Sequence, residues 1–553
     1  MTDFFGTPRE ADQQPDDAGQ DGGVSRRQLL VGAGGAVLAG SILAACGGSS
    51  SSATAPRATS SSAAPAGTPK RGGHFRLGVT GGGAKDMMDG QNITTKPDQA
   101  RLVTAFETLV NYDDGYKLTY DGLATSVTQD NPTQWTIRLR QGVEFQNGKK
   151  LQAPDVIYSL KRILTKSLGL PGYGSLSSVD PSQITAMDPY TVRLHLKSPD
   201  STIADALAAY TNAIVPEGYQ KWPAPQNGTG PFKLVSFTPG QQSVHTRNPN
   251  YWRTGQPYFD DVTITDFSDP TAQVNALLSR QIDAMTDVPN AQVSVVKAHS
   301  GLAVLISETG GWLPLCMAVD MPPFNDNRVR QAMRLIVDRQ GYVDQVLAGY
   351  GRLANDLFSP FDPAYESALP QRHQDIAQAK SLLKAAGHDG LTVDLHTTPG
   401  AAGMVATATV FATQAKAAGV TVNVKNDPNY YGDSYLKLAF SVDFWGTRNY
   451  LSQAAQGMLP TAPFNETHWP PQSGPGSNYT SLYQQALAAP DAGSRTNLIH
   501  EMQTLEYNYG GYIIPTFDDL VDGYSKKVAG FTPSKGTLNL DSFGHGFRTI
   551  WFA

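Results

Sequence analysis

Trp135-Thr136-Ile137-Arg138-Leu139-Arg140-Gln141-Gly142-Val143-Glu144-Phe145-Gln146-Asn147-Gly148, followed closely by Ala153-Pro154-Asp155-Val156, decides how this chain is read. Trp135, Ile137 and Leu139 alternate with polar side chains, the pattern of a half-buried antiparallel strand. Gly142 and Asn147-Gly148 mark turns. Pro154 sits where a first helical turn needs no N–H, and Val156, Ile157, Leu160, Ile163 and Leu164 recur on one helical face. The stretch therefore predicts strand, turn and amphipathic helix in succession.

Working outward, the same change of period recurs. Leu102, Val103, Phe106, Leu109 and Val110 predict one face of a helix ending before Asn111, and Val192, Leu194 and Leu196 predict another alternating strand. In the second half, a helix near Asp375 to Ala386 stops at Gly387 before a strand from Leu391 to Leu395. A second helix near Met404 to Ala418 stops at Gly419 before Val420 to Val424. Helix, glycine stop and β-branched strand, repeated, predict an α/β domain with parallel sheet, which binds small molecules at its strand ends.

Other segments fall in a familiar order. Lys70-Arg71-Gly72-Gly73-His74-Phe75-Arg76-Leu77-Gly78 reads as a basic, glycine-paired first strand. Gly228-Thr229-Gly230-Pro231-Phe232, Asn248-Pro249-Asn250-Tyr251-Trp252, and Pro323-Phe324-Asn325-Asp326 leading into Val329-Arg330-Gln331-Ala332-Met333 follow. With the opening stretch, this series resembles the family 5 extracellular solute-binding proteins, the oligopeptide, dipeptide and nickel receptors of ABC importers. Taken alone, most of the blocks read as structure: Gly228 and Gly230 suit a tight strand entry through positive φ, and Tyr251 and Trp252 suit packing on a domain surface.

The resemblance implies an α/β, type II periplasmic-binding-protein-like fold with two ligand-gripping lobes, an additional domain and a discontinuous first lobe. Residues 70–115, 225–311 and 523–553 would form lobe I, residues 116–224 the additional domain and residues 312–522 lobe II. A hinge motion would enclose the ligand between lobes, with no chemistry done to it, and the closed form would dock on a membrane permease.

The N-terminal segment reads as an address. Arg26 and Arg27 before a Leu/Val/Ala/Gly run look like a twin-arginine export signal, and Leu43-Ala44-Ala45-Cys46 looks like a lipobox. Residues 1–45 would then be a cleaved signal peptide and Cys46 the lipidated first residue. Val31 to Ala45 is too short and too rich in Gly and Ala for a spanning helix, which needs about 20 apolar residues. Residues 46–69 are almost wholly Gly, Ser, Ala, Thr and Pro, with Arg57 the only charge, and cannot bury enough apolar surface to fold, so they read as a tether.

The body is too long for one core and implies two or three domains. The net charge of the 553-residue chain is -6, and the excess of acids over bases in residues 1–45 accounts for half of it. Such a body argues against nucleic acid or an anionic membrane surface as partner. With Cys46 lipidated, Cys316 has no intramolecular partner and reads as a buried, inert thiol. The expected molecule is a monomer without cofactor or bound metal, held outside the cytoplasm by its lipid.

For the ligand cleft, the family resemblance points to Val442-Asp443-Phe444-Trp445-Gly446-Thr447-Arg448-Asn449-Tyr450. Peptide-binding relatives carry an acid here for the ligand's α-ammonium; this chain has Arg448, which cannot accept a hydrogen bond and offers a fork to a carboxylate or phosphate. Either Arg448 grips an acid, amide or blocked terminus of the ligand, or it pairs with Asp443 or another internal acid. Gly400-Ala401-Ala402-Gly403 supplies no cationic clamp, which disfavours a narrow specificity for free dipeptides. Trp445 could stack on ligand or support the segment; Asn449 and Tyr450 could donate side-chain hydrogen bonds. Thr80, Gly81 and Gly82, after the first strand, could approach ligand through backbone, with Gly83 completing a loop. Tyr430 and Tyr431 are candidates for the cleft or for a surface turn.

Two other functions compete with this one. A hydrolase would need a nucleophile elbow, a His-Glu-x-x-His or a phosphate loop, and the body shows none of these, although scattered carboxylates leave a glycosidase open. A metal receptor would need clustered ligands, and His74, His195, His245, His388, His396 and His468 lack close spacing. An anionic metal chelate, bound through its carboxylates, would call on arginines instead, and Arg448 keeps that alternative open.

Overall fold

The computed structural model describes residues 67–553, apart from 94, 400, 428–429, 433, 537–538 and 541–544. Arg26, Arg27, Cys46, the signal segment and nearly all of the tether lie outside the described residues. The described residues belong to one compact unit, Ala58–Ala553, and no helix among them is long and apolar enough to cross a membrane.

The opening stretch forms the strand Gln134–Leu139 and the helix Ala153–Ile163. The strand lies in a four-stranded antiparallel sheet ordered Ala124–Asn131, Gln134–Leu139, Thr191–Leu196, Val179–Asp188. Trp135, Ile137 and Leu139 meet Val156, Leu160 and Ile163 of the helix and Val192 and Leu194 of the next strand in one core. Period-two and period-3.6 apolar faces thus bury one another, as the sequence pattern requires.

A larger sheet runs Leu302–Gly311, Thr516–Ser525, Ala284–Met285, His74–Thr80, Asp261–Phe267, Gln242–Arg247, Phe232–Thr238, with Gly351–Leu353 joined to Thr516–Ser525. Phe75, Leu77 and Val79 are fully buried on His74–Thr80, which lies between two parallel neighbours. A third sheet is ordered Thr421–Asn426, Thr392–Thr397, Phe440–Val442, Leu315–Met317, Tyr512–Ile513. Its Thr392–Thr397 and Thr421–Asn426 strands pair in parallel, each following a helix stopped by a glycine in the left-handed region: Ile376–Ala385 with Gly387, and Met404–Ala415 with Gly419.

The chain crosses between the larger sheet and the third sheet at two short stretches, and by longer connections through Gly351–Leu353. Leu302–Gly311 leads through Trp312 into Leu315–Met317, and Tyr512–Ile513 leads into Thr516–Ser525. The two passages run side by side, because Leu315 pairs with Ile513 in one sheet and Gly311 with Asp518 in the other. Any movement of one sheet against the other must bend the backbone at these two short links and in the longer connections on either side of Gly351–Leu353.

Two expectations are corrected. The helix spans only Lys96–Ala105; Phe106 turns extended, and Leu109 and Val110 enter the core around Trp135 while Leu102, Val103 and Phe106 pack under the larger sheet. One periodic apolar set therefore serves two cores. Gly228 and Gly230 are not at positive φ; they are needed for close approach, since a Cβ on Gly228 would lie 1.8 Å from the carbonyl oxygen of Ala105. Gly228→Ala is expected to lower stability by about 1–3 kcal/mol through forced backbone displacement, read as a lower urea midpoint at unchanged slope.

Candidate functional site

Phe440–Val442 occupies the middle of the third sheet, so the chain that leaves it is fixed at its base. Residues 443–448 run out from the strand end, and Asn449 opens the helix Tyr450–Gly457. The run is anchored to the first link between the sheets by paired bonds: Trp312 N–H donates to Trp445 C=O at 3.0 Å and Trp445 N–H to Trp312 C=O at 2.9 Å. Trp445 stacks on Trp312 at 6.0 Å between centroids, Trp312 on Phe358 at 5.7 Å and Phe358 on Tyr450 at 5.1 Å. The indole of Trp445 is buried, so most of its surface supports the segment from behind.

This column carries Tyr450 into the core. Its hydroxyl donates to Glu506 at 2.5 Å and lies 3.0 Å from the Tyr479 hydroxyl. The expectation of a ligand hydrogen bond from Tyr450 is therefore corrected: the ring is buried and its polar atom is already used.

Thr447 is also committed. Its hydroxyl accepts from Gly310 N–H at 2.8 Å and donates to Lys535 C=O at 3.0 Å, and its carbonyl accepts from the Tyr116 hydroxyl at 3.1 Å. One buried residue thus ties the link at Gly310, the C-terminal segment and the Tyr116 turn. Thr447→Val would leave the buried Gly310 N–H unpaired, for an expected loss of about 1–3 kcal/mol, visible as a lower melting temperature.

Asn449 makes a second tie: its Nδ2 donates to Asp205, which also accepts from the Tyr112 hydroxyl at 2.5 Å. Tyr112 and Tyr116 stack at 4.2 Å, nearly parallel. Burial raises the pKa of Asp205, opposed by the bonds from Tyr112 and Asn449.

Between these ties stand half-buried Gly446 and Arg448. Arg448 Nη1 donates to Gln453 Oε1 at 3.2 Å, and its guanidinium carbon lies 5.3 Å from the Trp445 ring centre. Among the described residues it forms no ion pair. Burial lowers its pKa, with Tyr116 and Tyr210 acting in the opposite sense. Asp443, the expected internal partner, faces elsewhere: it accepts from Tyr431 at 3.0 Å, Tyr435 at 2.8 Å and Phe444 N–H at 2.8 Å. Burial raises the pKa of Asp443 and of neighbouring Glu466. Pairing of Arg448 with Asp443 is thereby corrected. Tyr430 and Tyr431 do lie in a turn, but Tyr430 is buried, its hydroxyl on Val442 C=O, and half-buried Tyr431 is held on Asp443.

Thr80, Gly81 and Gly82 lie at the end of the first strand. The Thr80 hydroxyl donates to Gln273 at 2.5 Å, and Gly81 N–H donates to Phe267 C=O at 2.8 Å. Gly82 has φ +96°, and a Cβ there would come within 3.0 Å of Asp86 and Asp266. These contacts stay within the larger sheet's edge; none of them reaches residues 445–450. Tyr112, Tyr116, Asp205, Tyr210 and Gln453 join the neighbourhood of Arg448 without any local motif to announce them.

No group of His, Cys, Asp and Glu suited to a metal ion occurs among the described residues. His245 is buried, its pKa pushed down to about 3 by burial and by Arg101. Cys316 is buried and its pKa raised, first by burial.

The glutathione-binding protein GsiB of Escherichia coli (strain K12) is 24% identical over 476 residues, 81% of this chain and 92% of that protein. The periplasmic binding protein DppA of Helicobacter pylori, an ABC transporter-associated protein solved with peptide STSA, superposes with a TM-score of 0.71 at 20% identity, covering 87% of this chain and 98% of its own. NikZ of Campylobacter jejuni, solved with Ni(L-His), gives 0.73 at 19% identity, covering 86% and 99%. The profile of the bacterial extracellular solute-binding proteins, family 5 Middle, matches residues 119–465, and the chain belongs to that family.

Proposed function

We propose that this protein is the extracytoplasmic receptor of an ABC importer, capturing peptides, more readily oligopeptides or modified peptides than free dipeptides, and presenting them unchanged to a membrane permease. The observation that carries the reading is Arg448, a half-buried cation without an acidic partner among the described residues, set between the ties made by Thr447 and Asn449. Gly446 and Arg448, backed by Trp445, are the proposed contacts on one side; Thr80, Gly81 and Gly82 are proposed for backbone contact on the other. Likeness to DppA with a peptide and to a glutathione-binding protein supports a peptide ligand.

The domain division with residues 312–522 as lobe II goes with this reading, as does export through Arg26 and Arg27 and anchorage of a monomer by lipid on Cys46. An anionic metal chelate is the second reading, favoured by the same unpaired guanidinium and by likeness to a protein solved with Ni(L-His).

A pool of tri- to pentapeptides added to the purified full chain should raise its melting temperature, since ligand at about 100 times Kd stabilises by about 2.7 kcal/mol. The same peptides should be recovered intact by mass spectrometry. No shift with the pool, together with a shift on Ni(L-His), would replace the peptide reading by the chelate reading.

A further inference from the structure

Gln453 lies in the first turn of the helix Tyr450–Gly457 and is almost wholly buried. Its Oε1 accepts from Arg448, which fixes the amide's orientation and leaves Nε2 as a donor. That Nε2 is buried and has no hydrogen-bond partner among the described residues. A buried amide donor without a partner is destabilising, so a ligand atom that satisfies it gains accordingly. Arg448 has the same need on a larger scale: one N–H reaches Gln453, and the rest of the fork meets no carboxylate among the described residues.

The surroundings sharpen what that ligand atom is. The unmet groups on Arg448 and Gln453 are all donors, which matches an anion, while the buried Asn449 Oδ1 beside them is an unmet acceptor. The helix N-terminus is already occupied, because Asp362 accepts from Tyr450 N–H at 2.7 Å. Asp205 and Asp362 are spent on neutral donors and form no ion pair with Arg448. Burial raises the pKa of Tyr210, on the turn Tyr210–Asn212, and the charge of Arg448 opposes it.

We infer that Arg448 and Gln453, backed by Trp445, form a recess for a carboxylate, and that the captured solute enters it acid end first. This rests on the receptor reading above and narrows its substrate class. The planar guanidinium takes one or both carboxylate oxygens and Gln453 Nε2 donates to the nearer one, in the manner of charge-assisted recognition.

The test uses the full chain and three probes: a tripeptide library as free acids, the same library as C-terminal amides, and a mixture of phenylacetate, phenylpropionate and hexanoate. The free-acid library is expected to raise the melting temperature and the amides to raise it much less. Arg448→Gln and Gln453→Leu should each weaken the free-acid response by about tenfold or more in apparent affinity, whereas Arg448→Lys, keeping charge but not the fork, should fall between. Equal responses to acid and amide, unchanged in the variants, would overturn the carboxylate recess and leave the receptor reading standing. Failure of both libraries with an Arg448-dependent response to the simple carboxylates would keep the recess and remove the peptide reading. No response to any probe would overturn the recess. Unchanged melting temperature of each variant without probe shows that folding is intact.

Discussion

Asp356→Ala is expected to cost about 3–5 kcal/mol, the loss typical of breaking a buried ion pair from one side. The Asp356 carboxylate is fully buried and sits among three guanidiniums, 2.8 Å from Arg339 and 3.9 Å from Arg334, with Arg372 also bonded to it. It also accepts from Ile514 N–H at 2.9 Å, on the second link between the sheets. Burial opposes its charge, but the three arginines win and hold its pKa at about 2. Arg334, whose pKa burial pushes down to about 9 despite Asp356, would lose the anion that helps keep it charged. Asp356→Asn keeps an acceptor for Ile514 and should lose nearly as much, because the deficit is one of charge. Denaturant unfolding checks both; a loss below about 1 kcal/mol in each would show that the arginines are satisfied by carbonyls alone.

The second large effect is a fall in stability as pH rises from about 5 to 8. Glu506 is fully buried between the hydroxyls of Tyr450 and Tyr479, and burial lifts its pKa to about 7 from an ordinary 4.5. Asp518 is lifted to about 8, first by burial and then by Asp519. At these two carboxyls the folded state binds more protons than the unfolded one in this window, so stability present below the ordinary carboxyl range is lost as pH climbs through the folded values; buried His245 works against this only below its ordinary 6.5. For Glu506 alone the shift corresponds to a few kcal/mol on the scale of about 1.4 kcal/mol per unit. Asp356 works oppositely, and its contribution is lost only as pH falls from about 4 towards 2. Glu506→Gln, which keeps the acceptor oxygen, should flatten the slope above pH 5. A wild-type stability that rises from pH 5 to 8 would contradict the sign.

Local pattern was enough for much of the fold. Alternation at Trp135, Ile137 and Leu139, the proline of the Ala153–Ile163 helix, and the glycine stops at Gly387 and Gly419 all act within a few residues, and the elements they predict are present. Where two cores draw on one apolar run, as at Leu102 to Val110, periodicity could not tell which residue faces which core. The site was legible only as a segment. Nothing local says that Tyr450 turns into an aromatic column or that Asp443 belongs to Tyr431 and Tyr435, because those partners are set by tertiary packing. Tyr116 and Asp205 lie hundreds of residues from Thr447 and Asn449, beyond the reach of any spacing rule.

The paired passages between the two large sheets have a consequence for how the protein can be taken apart. Residues 315 and 513 are neighbours across one ladder although almost two hundred residues separate them along the chain. The intervening stretch is closed at its base but is not a self-contained insertion, because Gly351–Leu353 within it pairs with Thr516–Ser525 of the larger sheet: a single proteolytic nick frees no piece, while excision at the waist would also strip that strand from the larger sheet.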